Sequence, residues 1–172
     1  MKTVVALLVL CLGLAGCGYH ALYGDSATGV SSDDLALVYV AGIPDRPGQQ
    51  LRNNLVQRLN PSGQPTRPSY TLNVALGITS TGVSLSRDNT TSRTSITTSA
   101  KFTLVDSATG KPVFTATSRA TDAYDVLVSD YATLVSRDDA VNRALREISD
   151  DIRTRLAVYF QDRKEKARAA SK

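Results

Sequence analysis

The stretch YTLNVALGIT, residues 70–79, decides the fold because its side chains change character at every second position. The even positions carry apolar side chains: Tyr70, Leu72, Val74, Leu76 and Ile78. The odd positions carry small or polar side chains: Thr71, Asn73, Ala75, Gly77 and Thr79. Successive side chains of a β-strand point to opposite faces of its sheet. The stretch therefore predicts a strand with one buried face and one face in water.

The sequence downstream of this strand predicts two more antiparallel strands. Hydroxyl side chains dominate TSTGVSLSRDNTTSRTS, residues 79–95, and a turn is expected there at Asp88 and Asn89 because both residue types favour turns. DSATGK at residues 106–111 supplies the chemistry for a second turn. We expect a three-stranded antiparallel meander over residues 69–124.

The sequence upstream predicts a short strand followed by a helix. LALVYVA at residues 35–41 is apolar, with β-branched and aromatic content, and indicates a strand buried on much of both faces. Asp45 is a candidate helix cap, and Leu51, Leu55 and Leu59 recur at every fourth residue behind it. This spacing predicts a helix of about three turns that buries its leucine stripe.

A second, longer helix is predicted near the C-terminus. Ser136 with Asp139 resembles a capping box, and apolar residues then recur at spacings of three and four from Val141 to Tyr159. The order of elements predicts an α+β fold, a two-layer sandwich with two helices packed on one face of a mostly antiparallel four-stranded sheet. The other face is either solvated, as is common in antiparallel sheets, or lodged in a hydrated cavity of a partner.

The N-terminal residues predict export and lipid attachment. Lys2 precedes the apolar run VVALLVLCLGL, which is too short to span a bilayer and suits a signal peptide. The residues LAGC at 14–17 resemble the lipobox of bacterial lipoproteins, where cleavage exposes the cysteine for acylation. Cys17 would then carry N-acyl and S-diacylglycerol lipid, and several buried acyl chains make such an anchor durable. Gly18 in the next position resembles the outer-membrane sorting pattern.

These features divide the chain into four predicted parts. Residues 1–16 form a cleaved signal peptide, and residues 17–34 form the lipidated N-terminus and tether. Residues 35–163 form a single α+β domain, and residues 164–172 form a basic C-terminal tail. The formal net charge of +4 is only mildly basic and gives no argument for nucleic acid as a partner.

Catalytic chemistry is poorly represented, so the sequence predicts a protein that is not an enzyme. His20 is the single histidine, which disfavours a Ser-His-Asp arrangement or a histidine-rich metal site. Cys11 leaves with the signal peptide and Cys17 takes lipid, so we expect no free thiol and no cofactor beyond the lipid. Adjacent aspartates at 138–139 and 150–151 are explained by helix chemistry, because neighbours on a helix do not face each other.

Three basic residues at the ends of the predicted hairpins are candidates for binding an anionic amphiphile. They are Arg87, Arg93 and Lys111. A guanidinium group fits phosphate oxygens in a bidentate geometry. No motif selects these three residues, so they are candidates on chemical grounds alone.

Several segments, taken in order, resemble the lipopolysaccharide-assembly lipoprotein family LptE of the alphaproteobacterial type. They are LAGC with GYHALYG, IPDRPGQQLRNNLVQRLNPSGQP, AKFTLVDSATGKPVFTATS, and the C-terminal stretch from DAYDVLV to RLAVYF. The resemblance implies a lipoprotein anchored in the inner leaflet of the outer membrane. It also implies a 1:1 complex in which the domain plugs the lumen of the LptD β-barrel and assists insertion of lipopolysaccharide into the outer leaflet. The resemblance further implies that basic residues bind lipopolysaccharide, and Arg87, Arg93 and Lys111 are the candidates for that role.

Two alternatives remain open at this point. An auxiliary lipoprotein of an envelope lipid-transport system of the ABC type would share the anchor and the domain size, but would engage its partner through an apolar groove. A barrel would instead bury the polar sheet face and the hairpin at 79–95. A lipid-anchored hydrolase is the remote alternative and would need a cleft that brings two carboxylates together.

Overall fold

The structure is a computed structural model that describes residues 32–85 and 91–171. Residues 31–172 group into one compact unit. The predicted signal peptide, the lipidation site at Cys17 and the candidate Arg87 lie outside the described residues, so these predictions stay predictions. The same holds for the division of the chain into four parts.

The described residues form three helices and four strands. In chain order they are α1 (Ser32–Ala36), β1 (Val38–Val40), α2 (Arg46–Leu59), β2 (Tyr70–Leu85), β3 (Thr91–Asp106), β4 (Pro112–Asp125) and α3 (Asp130–Ala170). The strands follow the order β1-β2-β3-β4 in one sheet, with β1 parallel to β2 and the other neighbours antiparallel. This confirms the α+β fold with a mostly antiparallel four-stranded sheet.

The alternation read from residues 70–79 sets the register of the sheet. Leu72 lies opposite Leu104, and Val74 lies opposite Phe102. Leu72, Phe102 and Leu104 are fully buried beneath the helices. A slip of one residue would send every one of these side chains into water, so burial of one face fixes the pairing.

Helix α2 forms as the leucine spacing predicts, with Leu51, Leu55 and Leu59 buried. Asp45 occupies the N-cap position, and its carbonyl accepts a hydrogen bond from the amide of Gln49 at 2.9 Å. Its side chain makes no capping hydrogen bond, and its φ of 65° is a conformation that L-residues rarely adopt. The start of this helix therefore carries backbone strain.

Gly48 explains why the first turn of α2 can lie so close to the preceding loop. A Cβ atom at this position would stand 2.8 Å from Ile43 Cγ2 and 3.1 Å from the Ile43 carbonyl carbon. Both residues are buried. Only glycine permits this approach without displacing the loop.

Helix α3 begins earlier than the sequence predicts. Its N-cap is Ser129, whose hydroxyl accepts a hydrogen bond from the amide of Ala132 at 3.4 Å. The predicted capping box at Ser136 and Asp139 is therefore wrong, and Asp139 instead forms an i,i+4 ion pair with Arg143. The early turns were missed because the pattern at Ser136 and Asp139 resembles a helix start, although Leu134 lies two turns before Val141 on the same side of the helix.

Helical structure is also present on both sides of residues 35–163. Leu35 belongs to α1 rather than to the predicted strand, of which only Val38–Val40 remains. Residues predicted as a basic tail are helical as far as Ala170. Lys164 on α3 forms an ion pair with Asp34 on α1, so the end of the long helix and the start of the unit are joined.

Candidate functional site

The most extensive uncovered feature of the described chain is the sheet face opposite the helices, here called the open face. It is built from alternate residues of three strands, and most of its side chains are short hydroxyls. They are Thr71, Asn73, Ala75, Gly77, Thr79 and Thr81 of β2, Ser95, Thr97, Ser99, Lys101 and Thr103 of β3, and Thr115, Thr117, Arg119 and Thr121 of β4. Hydroxyl pairs bridge neighbouring strands, with 3.4 Å between Thr97 Oγ1 and Thr121 Oγ1 and 3.3 Å between Thr115 Oγ1 and Thr103 Oγ1.

The open face is large and flat enough to serve a macromolecule. Strands that pair over about thirteen residues span about 40 Å, and three strands span roughly 14 Å across with their side chains. The resulting plane is roughly 600 Å², close to the area that each partner contributes to an ordinary protein interface. Small-molecule sites are instead concave. The shape of this face therefore favours a protein surface as its occupant.

Two cations stand near the centre of the open face. Lys101 on β3 lies opposite Thr117 on β4, and Arg119 lies opposite Ser99, so the two cations are diagonal neighbours. Diagonal side chains on paired strands have Cβ atoms about 7 Å apart. Both cations are exposed, and within residues 32–85 and 91–171 no ion pair involves either of them. They present only hydrogen-bond donors, which carboxylates would satisfy.

Two arginines on the helix-covered side of the molecule are, in contrast, held by carboxylates. Arg143 donates to both carboxylate oxygens of Asp122, at 2.9 and 3.0 Å, and this hydrogen bonding lowers the pKa of Asp122. Arg58 likewise pairs with Asp150 and lowers the pKa of that carboxyl. These pairs link the helices to each other and to the sheet. Their charges are therefore already neutralised within the chain.

The structure does not bring the two described basic candidates, Arg93 and Lys111, together. Arg93 is exposed near the start of β3, opposite Asp125, whereas Lys111 lies beyond the far end of that strand, just before β4. The length of β3 between them corresponds to about 40 Å. Their binding role stays a prediction, and the two residues cannot contact the same headgroup.

Lys111 follows a tight turn that is stabilised by Asp106. The carboxylate of Asp106 accepts hydrogen bonds from the amides of Ala108 and Thr109, at 3.0 and 2.9 Å. The bonds from Thr109, together with that from Ala108, lower the pKa of Asp106. Gly110 supplies the positive φ of 67° that closes the turn. The predicted turn at 106–111 is therefore present, with a structural reason for its aspartate.

Sequence reasoning missed Lys101 and Arg119 because it concentrated on charges at loop ends. The two-residue period itself held the signal, since both positions fall in register with hydroxyl residues of the open face. The sequence pattern can therefore distinguish a cation in the middle of a row of hydroxyl residues on a strand from a cation at a solvated turn.

The described residues offer no arrangement suited to catalysis by a metal ion. No group of three or more His, Cys, Asp or Glu in that part of the chain is placed to hold one. The adjacent aspartates at 150–151 are engaged separately, Asp150 with Arg58 and Asp151 with Arg155. Within the same residues, no helix combines the length and apolar character needed to cross a bilayer.

Two solved structures of bacterial lipoproteins share this α+β fold. A crystal structure of a lipoprotein from Caulobacter crescentus CB15 matches with a TM-score of 0.65 and 23% identity, covering 77% of this chain and 96% of that one. The rare lipoprotein B from Shewanella oneidensis matches with a TM-score of 0.58 and 12% identity, covering 74% and 96%. Identities this low establish a shared fold.

The family follows from the sequence match. The chain belongs to the LptE lipopolysaccharide-assembly family, which matches residues 35–156. It is also 24% identical over 154 residues to the uncharacterized protein RP188 of Rickettsia prowazekii (strain Madrid E), covering 90% of this chain and 95% of that protein. The family is one of non-enzymatic envelope lipoproteins that act with the lipopolysaccharide-assembly machinery, as the sequence resemblance predicted.

Proposed function

We propose that this protein is an outer-membrane lipoprotein that occupies the lumen of an LptD-type β-barrel in a 1:1 complex and assists insertion of lipopolysaccharide into the outer leaflet. The family membership supports the assembly role. The observation that supports the plug proposal is the open face. It is a broad hydroxyl surface with two cations that no described carboxylate neutralises. Acylated Cys17 holds the domain at the inner leaflet.

A barrel lumen is a chemically suitable environment for this face. The interior of a large membrane barrel is polar and wet, so a plug needs hydrogen-bonding groups rather than an apolar exterior. Short Thr and Ser side chains have few rotamers and lose little entropy when they become ordered against a wall. Carboxylates on the wall would pair with Lys101 and Arg119 and fix the orientation of the plug.

One observation favours the alternative of a transport-system auxiliary. A shallow depression lined by Phe114, Val158 and Tyr159 on the helix side is largely apolar, as a groove for a lipid-transport partner would be. It is much smaller in extent than the open face, and Arg155 and Asp162 border it. The family membership therefore favours the assembly role over this alternative.

Purification of the partner distinguishes these functions. The full-length, acylated protein would be affinity-purified from its native outer membrane in mild detergent, and the recovered proteins identified and quantified. We expect a large β-barrel protein in a ratio of about one to one. An inner-membrane transporter or its periplasmic subunit, recovered without a barrel, would overturn the plug in favour of the transport auxiliary.

Lipopolysaccharide binding is the finer part of the proposal. Arg93 is exposed at the tip end of the long hairpin, and Arg87 belongs to the predicted tip itself. Charge reversal of both residues should weaken binding of purified lipopolysaccharide, whereas Arg146→Glu with Lys166→Glu, both exposed on α3, makes the same change in net charge and serves as the matched control. Unchanged binding by the Arg87→Glu, Arg93→Glu protein would contradict a role for the tip.

A further inference from the structure

The outer side of β2 is unpaired over most of its length in the described part of the chain. β1 pairs only with Tyr70–Leu72, and the last backbone hydrogen bond on this side runs from the amide of Ala41 to the carbonyl of Leu72, at 3.1 Å. Residues 74–82, here called the β2 edge, pair with β3 alone among the described strands. At about 3.4 Å per residue, the β2 edge is about 30 Å long.

The hydrogen bonds to the β1 side show which backbone groups of β2 face outward. The amide of Tyr70 donates to the carbonyl of Leu37, and the carbonyl of Leu72 accepts from Ala41, so even-numbered residues point their backbone groups away from β3. Backbone groups of a strand alternate in direction, and the pairing with β3 continues without a register shift as far as Gly82. The outward N–H and C=O groups of the β2 edge therefore belong to Val74, Leu76, Ile78 and Ser80.

The β2 edge lacks the features that normally protect a free strand. Charged side chains and proline discourage pairing with a further strand. The stretch TLNVALGITSTGVSLS, residues 71–86, contains neither. The side chains of Val74, Leu76 and Ile78 are, moreover, only partly buried on the helix side. An uncharged, proline-free strand of this length is a template for another strand.

The edge at the other side of the sheet, formed by β4, is protected. This strand begins at Pro112 and carries Arg119, Asp122 and Asp125. The amide of Ala123 donates to the Asp122 carboxylate at 2.9 Å rather than to β3, so odd-numbered residues of β4 face outward and one of their donors is occupied. The same sheet therefore has one edge that discourages a further strand and one that permits it.

Backbone hydrogen bonding, rather than charge, selects the kind of occupant. Arg46 and Arg137 lie near Ile78 together with Asp138, so charges of both signs flank the β2 edge. A row of N–H and C=O groups is matched by the backbone of another extended segment. A helix satisfies its own backbone groups, and acyl chains of lipids have none to offer. The occupant is therefore a protein segment in extended conformation.

The area of the β2 edge favours a partner that also contacts the open face over a second copy of this chain. Two β2 edges paired with each other would bury roughly 300 Å² per copy, whereas stable interfaces bury about 600 Å² or more on each partner. Ala75, Gly77 and Thr79 of the open face alternate with the outward residues of the β2 edge. A protein that covers the open face would add this edge to a contact that is already large enough.

We propose that the β2 edge binds an extended segment of the barrel partner, which continues the sheet beyond β2. This inference rests on the proposed function for the identity of the partner. The wall of a closed barrel has no unpaired strand, so the segment must be a loop or arm that leaves the wall. Its alternate side chains would be apolar, since they contact Val74, Leu76 and Ile78 on the helix side of the sheet.

Hydrogen exchange resolved to single amides tests the proposal without any substitution. The full-length acylated protein would be compared alone in detergent and in the complex that co-purifies with the barrel. We expect the outward amides of the β2 edge to exchange at least about tenfold more slowly in the complex, because they become hydrogen-bonded. The outward amides of Thr115 and Thr121 on β4 are the matched control and should exchange at the same rate in both samples.

The outcomes separate this inference from the proposed function. Unchanged exchange at the β2 edge in a complex that contains the barrel would overturn the added strand and leave the plug intact. Equal slowing at both edges would show a general exclusion of water and would also overturn the added strand. Failure to co-purify a barrel would overturn the proposed function and this inference with it.

A pair of substitutions at Ser80 gives a second test. Ser80 is exposed, and its outward amide takes no part in the pairing with β3, so proline is tolerated there as it is on other edge strands. Recovery of the barrel by Ser80→Pro should be about threefold to tenfold below recovery by Ser80→Ala, because only the alanine variant retains the hydrogen-bond donor. Equal recovery by the two folded variants would contradict the added strand. Their melting temperatures show that they are folded, and the exchange measurement does not depend on either variant.

Discussion

The two faces of the sheet share the same strands but differ in nearly every physical property. The covered face contributes Leu72, Phe102 and Leu104 to a dry core beneath the helices. The open face contributes hydroxyl groups and the cations Lys101 and Arg119. A two-residue period thus assigns folding to one set of side chains and leaves the other set exposed for the recognition proposed above. Substitutions at adjacent positions of one strand should therefore have unrelated effects.

The most disruptive substitution should be on the covered face. Phe102→Ala should lower the free energy of unfolding by about 3–5 kcal/mol, because it removes a fully buried ring and leaves a cavity among its neighbours. Thr117→Ala on the open face should change it by no more than about 0.5 kcal/mol. Urea unfolding followed by circular dichroism measures both. Comparable losses in the two variants would show that the open face also carries folding energy.

The close contact between Gly48 of α2 and Ile43 should give the next largest effect on the free energy of unfolding. Gly48→Ala should lower the free energy of unfolding by about 1–2 kcal/mol, because its Cβ would crowd Ile43 and this outweighs the gain of about 1 kcal/mol in helix propensity. Gly42→Ala is the matched control, since nothing lies within 4 Å of its added Cβ. Thermal denaturation of the two variants compares them. A stabilised Gly48→Ala protein would contradict the close packing.

The ion pair between sheet and helix should have a smaller effect that depends on pH. Hydrogen bonding to Arg143 lowers the pKa of Asp122, so its contribution to stability is present above the unfolded pKa of about 3.9 and is lost as pH falls through the lower folded value. Asp122→Asn should destabilise the protein less than Gly48→Ala at pH 7. It should also flatten the fall in melting temperature below about pH 4. An acid profile identical to that of the wild type would show that the pair contributes nothing.

Much of this contrast could be predicted from the sequence, and the exceptions have physical causes. The alternation at residues 70–79 and the leucine spacing of α2 are strong signals because burial enforces them. The start of α3 was missed because Ser136 and Asp139 mimic a capping box but lie inside the helix, whose N-cap is Ser129. A start signal read from sequence cannot be told from the same residues on an exposed helix face.

The candidate site was predicted less well than the fold. A hydroxyl-rich sheet face was expected, but the central cations were overlooked in favour of charges at turns. Register is what makes Lys101 and Arg119 neighbours, and it requires the pairing of β3 with β4. Similarly, only the length of β3 shows that Arg93 and Lys111 are too far apart to act on one headgroup.

The smallest expected effect on stability belongs to the substitution that tests the proposed function. Lys101→Glu with Arg119→Glu should change the free energy of unfolding by no more than about 0.5 kcal/mol, because both side chains are exposed and bear no ion pair in the described part of the chain. Arg146→Glu with Lys166→Glu, both exposed on α3, makes the same change in net charge on the opposite side.

Quantitative co-purification of the β-barrel with these two double variants is the most direct measurement. The protein would be expressed at native levels, purified from outer membranes in mild detergent, and the barrel quantified per molecule recovered. We expect the open-face variant to recover at least tenfold less barrel per molecule than the wild type. The α3 variant should recover as much barrel as the wild type. Equal recovery of the barrel by both variants and the wild type would show that the open face is solvated and that the partner binds elsewhere.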